Sequence, residues 1–473
     1  MKFWQMVNQY WLGLTLFAIP FSTRKVISPV FYQGTFVDYA SISLFVSDLL
    51  IAGLLLLWLI DFKRTGRFKL GPKLLTIPLL LLAGWMWVSL LWVSTDILVG
   101  VQSAFRFSLY LGLYFYLINR VAEIKTLLYP LAAGVVAQGG IAIGQYFVNH
   151  SLGLKWLGES VLDPRESGIP VVLIDGVRQL RAHGTLPHAN VLGGYLALSL
   201  AMMWPLLFDR NRVTNRLMWW GVVGVGLVGL ALSLSRSAGI ALIGGGALVV
   251  IWLLFKHLNK LWSSLKVGWP IMVAVIVVVA SQWQAIAPRL SSDPNTLEQI
   301  SVDSRIRQWG EFRQVYSPRV LTGVGIGQYF LSIWRPEGEV ASADQMPSWQ
   351  YRSELGGWSY SAARSLNYYQ PVHDVYLLSL AELGPIGAGL WVWMIVVGVY
   401  LSMKLVKDQT VWGMAGLWAV LSVAGISLVD HYFWTLPSGR LMVILVLGYI
   451  AVLWVNSGYN GKRGNRKSTS VSE

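Results

Sequence analysis

Residues 74–93 read LLTIPLLLLAGWMWVSLLWV, a run without a charged side chain. An α-helix rises 1.5 Å per residue, so about 20 apolar residues cross the hydrocarbon core of a bilayer. The whole chain has the same character: hydrophobic residues are 55% of its 473 residues, charged residues are 13%, and the mean hydropathy is +0.54. Because a water-soluble protein of this size carries about 25% charged residues, we expect an integral membrane protein and exclude a soluble enzyme.

Segments of this kind recur along the chain and predict an all-α polytopic membrane protein with about twelve transmembrane helices. We interpret residues 1–473 as a single membrane domain. The first segment contains Pro20 and follows Lys2, but no small-residue cleavage site comes after it, so we interpret it as an anchor rather than a signal peptide. The segments are 8–22, 41–60, 74–93, 97–118, 128–147, 191–208, 217–235, 238–255, 268–283, 375–402, 411–433 and 437–455.

Basic residues between the segments give the orientation, because short cytoplasmic loops are enriched in Lys and Arg. If twelve helices alternate, every basic cluster falls on the same side. We therefore predict that both termini are cytoplasmic, that the long connections 148–190 and 284–374 lie on the outer face, and that the basic tail 456–473 is disordered. The clusters contain Lys63, Arg64, Arg67, Lys69, Lys73, Arg120, Lys125, Arg210, Arg212, Arg216, Lys256, Lys260, Lys266, Lys404, Lys407, Lys462, Arg463, Arg466 and Lys467.

Charge and composition exclude several classes of function. The formal net charge of +14 is concentrated on the predicted cytoplasmic face, so it indicates membrane topology rather than binding to nucleic acid. With no cysteine, the chain has no disulfide, cysteine nucleophile or thiolate metal site. His183 and His188 are close in sequence, but no further residue completes a clear ligand set, so we expect no metal and no cofactor.

The connection 284–374 is too long for a simple loop. Apolar residues recur at helical spacing within 298–317, which predicts one or two amphipathic helices lying on the outer membrane surface as a cap. An ordered cap with no chemistry of its own would explain the same pattern. The glycine run Gly323-Val-Gly-Ile-Gly327 predicts a turn, since its spacing does not fit a dinucleotide-binding fingerprint.

Among the basic side chains of the predicted outer face, four are candidates for a common site: Arg181, Arg236, Arg305 and His373. Singly, each arginine is explained by contact with lipid headgroups and the histidine by an interfacial position. Together they would form a site for an anionic lipid that carries a pyrophosphate, because guanidinium groups bind phosphate oxygens in bidentate pairs. A histidine that titrates near neutral pH can also take a proton from a hydroxyl group.

Three charged residues lie inside predicted spans: Asp48, Arg106 and Glu382. Such residues are costly in a bilayer and are usually paired or functional. All three are predicted at a similar depth below the outer surface. We therefore expect an ion-paired floor beneath the outer site, with Asp48 or Glu382 paired to Arg106.

Four motifs between about residues 178 and 390 resemble those of the O-antigen ligase and polymerase family of bacterial membrane glycosyltransferases, in the family's order. Two departures from the family pattern occur: Asp374 replaces the usual Asn, Ser or Gln, and His188-Ala-Asn190 replaces a Pro-Asn dipeptide. The motifs are Arg181-Ala-His-Gly-Thr-Leu-Pro-His-Ala-Asn190, Leu234-Ser-Arg-Ser-Ala238, Arg305-Ile-Arg-Gln-Trp309 followed by Leu321-Thr-Gly-Val-Gly-Ile-Gly-Gln-Tyr-Phe330, and His373-Asp-Val-Tyr376 with Gly384 and Gly387 after it.

The resemblance implies a metal-independent, inverting glycosyltransferase of the bacterial plasma membrane, with its active site on the outer face. The family transfers glycan from an undecaprenyl-pyrophosphate carrier to an acceptor such as lipid A core. By resemblance, His373 matches the essential histidine that activates the acceptor hydroxyl, and Arg181, Arg236 and Arg305 match positions that hold the pyrophosphate. Residues expected to support this site are Asp374, Asn190, Glu382, Arg106 and Asp48.

Three activities share these motifs: ligation to an envelope acceptor, polymerisation of surface polysaccharide, and transfer to protein hydroxyls. We favour the ligase because the spacing from His373 to Gly384 and Gly387 is typical of ligases. The alternative from another class is a transporter or flippase of an anionic lipid or solute. It would explain the basic outer residues and the intramembrane charges, but it explains the large outer loop less well.

Overall fold

The computed structural model describes most of the chain, and its described part is mainly helical. The predicted span 268–283, apart from residue 283, and much of the predicted cap lie outside the described residues, as does the end of the basic tail. The described residues are 2–32, 35–36, 38–66, 68–93, 95–166, 169–174, 176–208, 213–256, 283, 297–333, 371–408 and 410–458.

The helices follow the predicted apolar segments closely, because each segment is long enough to satisfy its backbone hydrogen bonds internally. We number them in chain order: α1 Lys2–Ala18, α2 Val46–Thr65, α3 Lys73–Val88, α4 Ile97–Arg120, α5 Lys125–Val148, α6 Ala189–Met203, α7 Val213–Ser233, α8 Arg236–Lys256, α9 Leu297–Tyr316, α10 Tyr329–Ile333, α11 Val375–Asp408, α12 Thr410–Ser427, α13 Tyr432–Thr435 and α14 Pro437–Asn456.

Within the described residues, six helical segments have the length and hydropathy to cross a membrane. Four shorter apolar segments lie in α2, α7, α8 and α12. A polytopic, mainly helical membrane protein is therefore confirmed, whereas the count of twelve spans and the orientation stay predictions. The six segments are Lys73–Trp92, Ile97–Arg120, Lys125–Val148, Ala189–Leu207, Val375–Lys407 and Pro437–Asn456.

Short antiparallel strand pairs, which the sequence patterns did not predict, occur in the connections. Strand β1 (Arg24–Ser28) pairs with β4 (Ile42–Phe45), and β5 (Val171–Ile174) pairs with β6 (Val177–Leu180). A third pair joins the two-residue strands β2 (Phe31–Tyr32) and β3 (Thr35–Phe36). The residues at 42–45 are strand rather than helix, so α2 begins later than predicted. Asp48 consequently lies in the first turn of α2, where its carboxylate accepts from the Phe45 amide at 3.3 Å, and not deep in the span.

Helix α11 is kinked where it meets the glycine run. Gly384 has φ 65° and ψ −169°, which breaks the helical geometry, and Pro385 follows it. The Val324 amide donates to the Ala381 carbonyl at 2.9 Å, and the Gly325 amide donates to the Glu382 carbonyl at 2.8 Å. A Cβ at Gly384 would collide with the Leu321 carbonyl oxygen, so only glycine fits this close approach. The run is thus a packing turn against the kink.

Helices α6 and α14 form the centre of the bundle. In each of them 89% of the most apolar stretch is buried. Helix α14 packs against α4, α6, α11 and α12, and α6 packs against α5, α7, α8 and α12. The N-terminal ends of α6, α8 and α11 are joined through side-chain contacts at the same end of the bundle, and the predicted site residues lie there.

Candidate functional site

Arg181 is positioned by the strand pair that precedes it. Its amide donates to the Pro170 carbonyl at 3.1 Å as β6 ends. Its guanidinium Nε donates to the Ser233 carbonyl at 3.1 Å, and one terminal nitrogen donates to Asn190 Oδ1 at 2.7 Å. Arg181 therefore joins the end of α7 to the start of α6.

Arg236 begins α8 directly after the turn that Arg181 holds. Leu234, in that turn, has φ 49°, a left-handed backbone conformation that is costly for a branched side chain. The Ser235 hydroxyl lies 3.3 Å from the Ser237 hydroxyl. Arg236 is exposed, so its guanidinium is accessible at the N-terminal end of a helix, where backbone amides and the helix dipole favour an anion. Arg181 and Arg236 thus flank a single turn.

Asn190 extends the chain of contacts from Arg181 to a carboxylate that lies 240 positions further along the sequence. Its Nδ2 donates to Asp430 Oδ2 at 2.9 Å, while its Oδ1 accepts from Arg181. Its backbone amide donates to His188 Nδ1 at 3.1 Å. Because the side-chain oxygen of Asn190 accepts one hydrogen bond and its nitrogen donates another, the orientation of the amide group is fixed.

His373 lies beside this carboxylate, just before α11. His373, Asp430 and His431 each offer a ligand atom, and these atoms lie within 4.8 Å of one another. Gln308, in α9, holds His373 from the other side: its Oε1 is 3.2 Å from the His373 amide and 2.9 Å from Nδ1. Since an amide oxygen only accepts, Nδ1 carries the proton, and Nε2 is the nitrogen able to take one.

We call His373, Asp430 and His431 the cluster. The charge states of Asp430 and His431 depend on their burial and on neighbouring side chains. Burial raises the pKa of the Asp430 carboxyl, but His373, His431, His188 and the Asn190 amide outweigh burial, and the net pKa is lowered. Burial, together with His373, lowers the pKa of His431 to about 3, although Asp430 opposes this change. At neutral pH the cluster therefore holds a charged carboxylate beside a neutral His431.

Asp374, which departs from the family pattern, caps α11. Its Oδ1 accepts from the Leu377 amide at 3.0 Å, as an N-cap side chain does. Burial raises the pKa of this carboxyl, and the hydrogen bonds from Leu377 and Tyr376 partly offset that rise. Asp and the Asn or Ser of the family pattern are all good N-cap residues, which accounts for the replacement. The carboxylate that lies in the cluster with His373 is therefore that of Asp430 and not that of Asp374.

Arg305 lies in α9, one helical turn before Gln308, and its side chain lies outside the described residues. The predicted helix within 298–317 is present as α9. Gln308 of α9 contacts His373, so this part of the predicted cap lies next to the histidine.

The intramembrane charges form a second polar group. Arg106 Nε donates to Asp48 at 3.0 Å, and Tyr110 donates to the same carboxylate at 2.6 Å. The Asp48–Arg106 pair is therefore present, as expected. Glu382 instead accepts from the indole Nε1 of Trp434 at 2.7 Å. Arg440, which the sequence analysis did not single out, is buried and donates to the Ser103 carbonyl at 3.1 Å.

Asp430 and His431 were also missed by the sequence patterns. The predicted span 411–433 ran through them, whereas α12 ends at Ser427 and a loop carries both residues. A charged residue inside an apparent span is itself a signal of function, and Asp430 could have been found in that way. The expectation of no metal was based on the lack of a clear ligand set around the histidines in the sequence, and it stays a prediction. The donor set of His373, Asp430 and His431 is one that can bind a divalent cation.

The fold and the site define a multi-pass membrane protein with an arginine, histidine and carboxylate cluster at one end of its bundle. Residues 221–392 match the O-antigen ligase family model, which confirms the resemblance to the O-antigen ligase and polymerase family. The match indicates ligase- or polymerase-type activity of a membrane glycosyltransferase-like enzyme. It includes Arg236, Arg305 and His373, whereas Arg181 and Asp430 lie outside it. No curated protein sequence matches the chain.

Proposed function

We propose that the protein is an O-antigen ligase-like glycosyltransferase. It transfers glycan from an undecaprenyl-pyrophosphate carrier to an acceptor hydroxyl, such as one on lipid A core, at the outer face of the plasma membrane. Polymerisation of surface polysaccharide and transfer to protein hydroxyls use the same chemistry and are the alternatives. The observation that carries the proposal is the continuous chain of contacts from Arg181 through Asn190 to the Asp430–His373 cluster.

His373 acts as the general base in this proposal. Its Nε2 takes the proton of the acceptor hydroxyl, while Gln308 keeps Nδ1 protonated and fixes the ring. The Asp430 carboxylate lies within 4.8 Å of His373, and its negative charge stabilises the imidazolium that forms. Asn190 holds the carboxylate in place.

The bond changes balance without a further reactant. The acceptor oxygen bonds to the anomeric carbon of the glycan as the bond from that carbon to the pyrophosphate oxygen breaks. The leaving pyrophosphate takes the electron pair, and the acceptor proton passes to His373. Attack from the side opposite the leaving group inverts the configuration of the anomeric carbon.

Stabilising the leaving pyrophosphate is the largest electrostatic task. Arg181 and Arg236 flank the turn before α8, and Arg305 lies in the helix that carries Gln308. A guanidinium stays charged at every accessible pH and binds phosphate oxygens in pairs. The N-terminal end of α8 adds amide donors and a favourable dipole at the same place.

The proposal is tested in cells. The gene is deleted and restored as wild type or as His373→Ala, and both the surface glycan and the lipid-linked glycan are profiled. For a ligase, we expect long polymer to accumulate on the lipid carrier and to be missing from its acceptor. Single repeat units in place of long chains would identify a polymerase.

A matched variant separates the chemistry from folding. His150→Ala removes another histidine of the predicted outer face, one that contacts Ser151 and lies outside the cluster. We expect His150→Ala to restore the wild-type profile and His373→Ala to fail at equal membrane abundance. If His373→Ala restores the profile as well as wild type does, the proposed mechanism is wrong and transport becomes the leading function.

A further inference from the structure

The cluster has the donor set of a zinc site. A ring nitrogen of His373, a ring nitrogen of His431 and a carboxylate oxygen of Asp430 lie within 4.8 Å of one another. Two imidazoles and one carboxylate are an established set of zinc ligands, with a water molecule in the fourth position. Sites for magnesium and calcium are instead built from oxygen ligands. The composition of the cluster therefore favours zinc.

The hydrogen bonds around the two histidines leave the same nitrogen of each ring as the ligand atom. Gln308 Oε1 accepts from Nδ1 of His373 at 2.9 Å, so the lone pair of that ring is on Nε2. The hydroxyl of Thr435 lies 2.9 Å from Nδ1 of His431, and it donates its proton to the His431 carbonyl at 3.3 Å. Because a hydroxyl has one proton, it accepts from Nδ1, and the lone pair of this ring is also on Nε2.

This arrangement is typical of histidines that bind metal ions. Such a histidine nearly always donates its other ring N–H to a protein oxygen or to water, which fixes the tautomer and the orientation of the ring. Gln308 supplies that oxygen to His373, and Thr435 supplies it to His431. Both rings are therefore held in the tautomer that a metal ion requires.

Asp430 is a buried carboxylate with which no lysine or arginine pairs among the described residues. It is 4% exposed, and it accepts from the side-chain amide of Asn190 and from the backbone amide of His431, each at 2.9 Å. Buried charges in proteins are paired or bound to metal ions, because an isolated charge loses its hydration. Protonated His373 would balance this charge in the proposed reaction, and a metal ion in the cluster would balance it at the same place.

The spacing of the cluster suits an ion that binds reversibly. Zinc bonds to nitrogen and oxygen are about 2.1 Å long, so the ligand atoms of a tetrahedral site lie about 3.4 Å apart. The ligand atoms of the cluster, at up to 4.8 Å, have to move closer together around the ion. His373 is the partly exposed member of the three, whereas Asp430 and His431 are buried. An ion therefore reaches the cluster from the side of His373.

We propose that the cluster binds a zinc ion through Nε2 of His373, Nε2 of His431 and the carboxylate of Asp430, and that this ion inhibits the protein. The inhibition rests on the proposed function, whereas the metal site does not. The lone pair that binds the ion is the one that takes the acceptor proton, so zinc and the proton exclude each other at His373. Zinc is here an inhibitor and not a cofactor, so the expectation that transfer needs no metal is unchanged.

Metal binding is measured on the purified full-length protein in detergent, without a polyhistidine tag and after treatment with EDTA. Cobalt(II) is the probe, because it occupies zinc sites and its visible absorption reports the coordination geometry. We expect one cobalt ion per chain with a tetrahedral spectrum. Zinc should displace it, whereas magnesium in large excess should not. The absence of such a spectrum in the wild-type protein would overturn the metal site.

Variants of the cluster locate the bound ion. Asp430→Asn and His431→Phe each remove one ligand and nearly keep the size of the side chain. We expect each to weaken cobalt binding by at least about tenfold, and Thr435→Val, which removes the hydroxyl that orients His431, to weaken it by about tenfold. His150→Ala, at a histidine outside the cluster, is the control and should bind cobalt like wild type. Unchanged binding in both ligand variants would overturn the metal site.

Inhibition is measured by transfer at fixed concentrations of lipid-linked glycan and of a glycolipid acceptor extracted from cells that lack the gene. Zinc should stop transfer by wild type and by His150→Ala, and EDTA should restore it. His431→Phe and Thr435→Val, each compared with its own rate without zinc, should need about tenfold more zinc. If both variants were as sensitive as wild type, zinc would act by binding the pyrophosphate of the donor, and the inhibition proposed here would be wrong.

The proposed function and this inference can fail separately. If wild type transfers no glycan but binds cobalt in a manner that depends on Asp430 and His431, the proposed function fails and the metal site stands. If transfer occurs and requires His373 while no cobalt binds, this inference fails alone. A transfer rate that rises when zinc is added would also overturn it, because the ion would then be a cofactor.

Discussion

The imidazole ring of His431 stands edge-on to that of His373, with the ring centroids 4.8 Å apart and the planes at 75°. His431 is buried, its Nδ1 is bonded to Thr435, and its pKa is lowered to about 3 by burial and by His373. It is therefore neutral at neutral pH and does not compete with His373 for a proton. The His431 ring packs against the His373 ring and so helps to fix its orientation.

Replacing Asp430 tests the carboxylate that the sequence patterns missed. Asp430→Asn keeps the shape and one oxygen to accept from Asn190, but it removes the charge that stabilises protonated His373. We expect kcat to fall about 100-fold, within the range of general acid–base effects, with donor KM little changed. Steady-state kinetics on purified protein measure both quantities.

The control for this change is Asp163→Asn, whose carboxylate pairs with the exposed Arg165 in the same predicted outer loop. It should retain wild-type kinetics. A kcat for Asp430→Asn within about threefold of wild type would remove Asp430 from the mechanism, because the expected general acid–base effect is far larger.

The arginines proposed to bind the pyrophosphate are tested by conservative replacement. Lysine keeps the charge of Arg236 but cannot form the bidentate pair with phosphate oxygens. We expect Arg236→Lys and Arg181→Lys each to lower kcat/KM for the donor roughly 10- to 100-fold, the range for losing a hydrogen bond to a charged group. Arg165→Lys, at an exposed position, is the matched control. Equal donor kinetics in Arg236→Lys and wild type would show that Arg236 does not bind the pyrophosphate.

Acid stability should depend on His183. Burial and then the nearby Arg181 lower its pKa to about 3, and neither ring nitrogen has a partner among the described residues. Between about pH 6.5 and 3 the unfolded chain binds a proton at this residue and the folded chain does not, so the free energy of unfolding falls as the pH is lowered. At pH 5 the loss is about 2 kcal/mol.

The variant His183→Leu removes this titration. We expect its thermal unfolding temperature to fall less than that of wild type between pH 7.5 and 5. At pH 7.5 the variant should be at least as stable as wild type, since it no longer buries two unpaired nitrogens. Parallel pH dependence in the two proteins would mean that His183 is protonated or paired in the folded state.

Because His373, Asp430 and His431 could together bind a metal ion, removing metal ions by chelation tests whether the reaction needs one. We expect transfer to survive exhaustive treatment with EDTA, because His373 can take the acceptor proton and the arginines can carry the pyrophosphate charge without an ion. The measurement is initial rate before and after chelation, followed by addition of zinc or magnesium. Loss of activity that a metal restores would assign these three residues as ligands.

Much of the site was accessible from sequence because motif residues stand at helix ends. Arg181, Asn190, Arg236 and His373 were all singled out; the last three lie at or just before the start of a helix, and Arg181, which follows β6, bonds to Asn190 at the start of α6. Gln308 was not, because a glutamine on an amphipathic helix has no pattern that distinguishes it from a solvated residue.

Asp430 was hidden for a different reason. The apolar residues before it and the aromatic residues after it read as one continuous span, and only the end of α12 at Ser427 separates them. Its link to Asn190 crosses 240 positions of sequence, and neither residue carries local information about the other.

The sequence by itself determined that this is a polytopic membrane protein, because an apolar run long enough to cross a bilayer has to satisfy its own backbone as a helix. Through the family resemblance it also predicted which arginines would bind a pyrophosphate and which histidine would activate the acceptor. Only the tertiary structure decided which carboxylate lies beside His373 and which side chain contacts its Nδ1. Those relationships depend on side chains from distant helices packing at one end of the bundle, and packing is set by the whole fold rather than by local pattern.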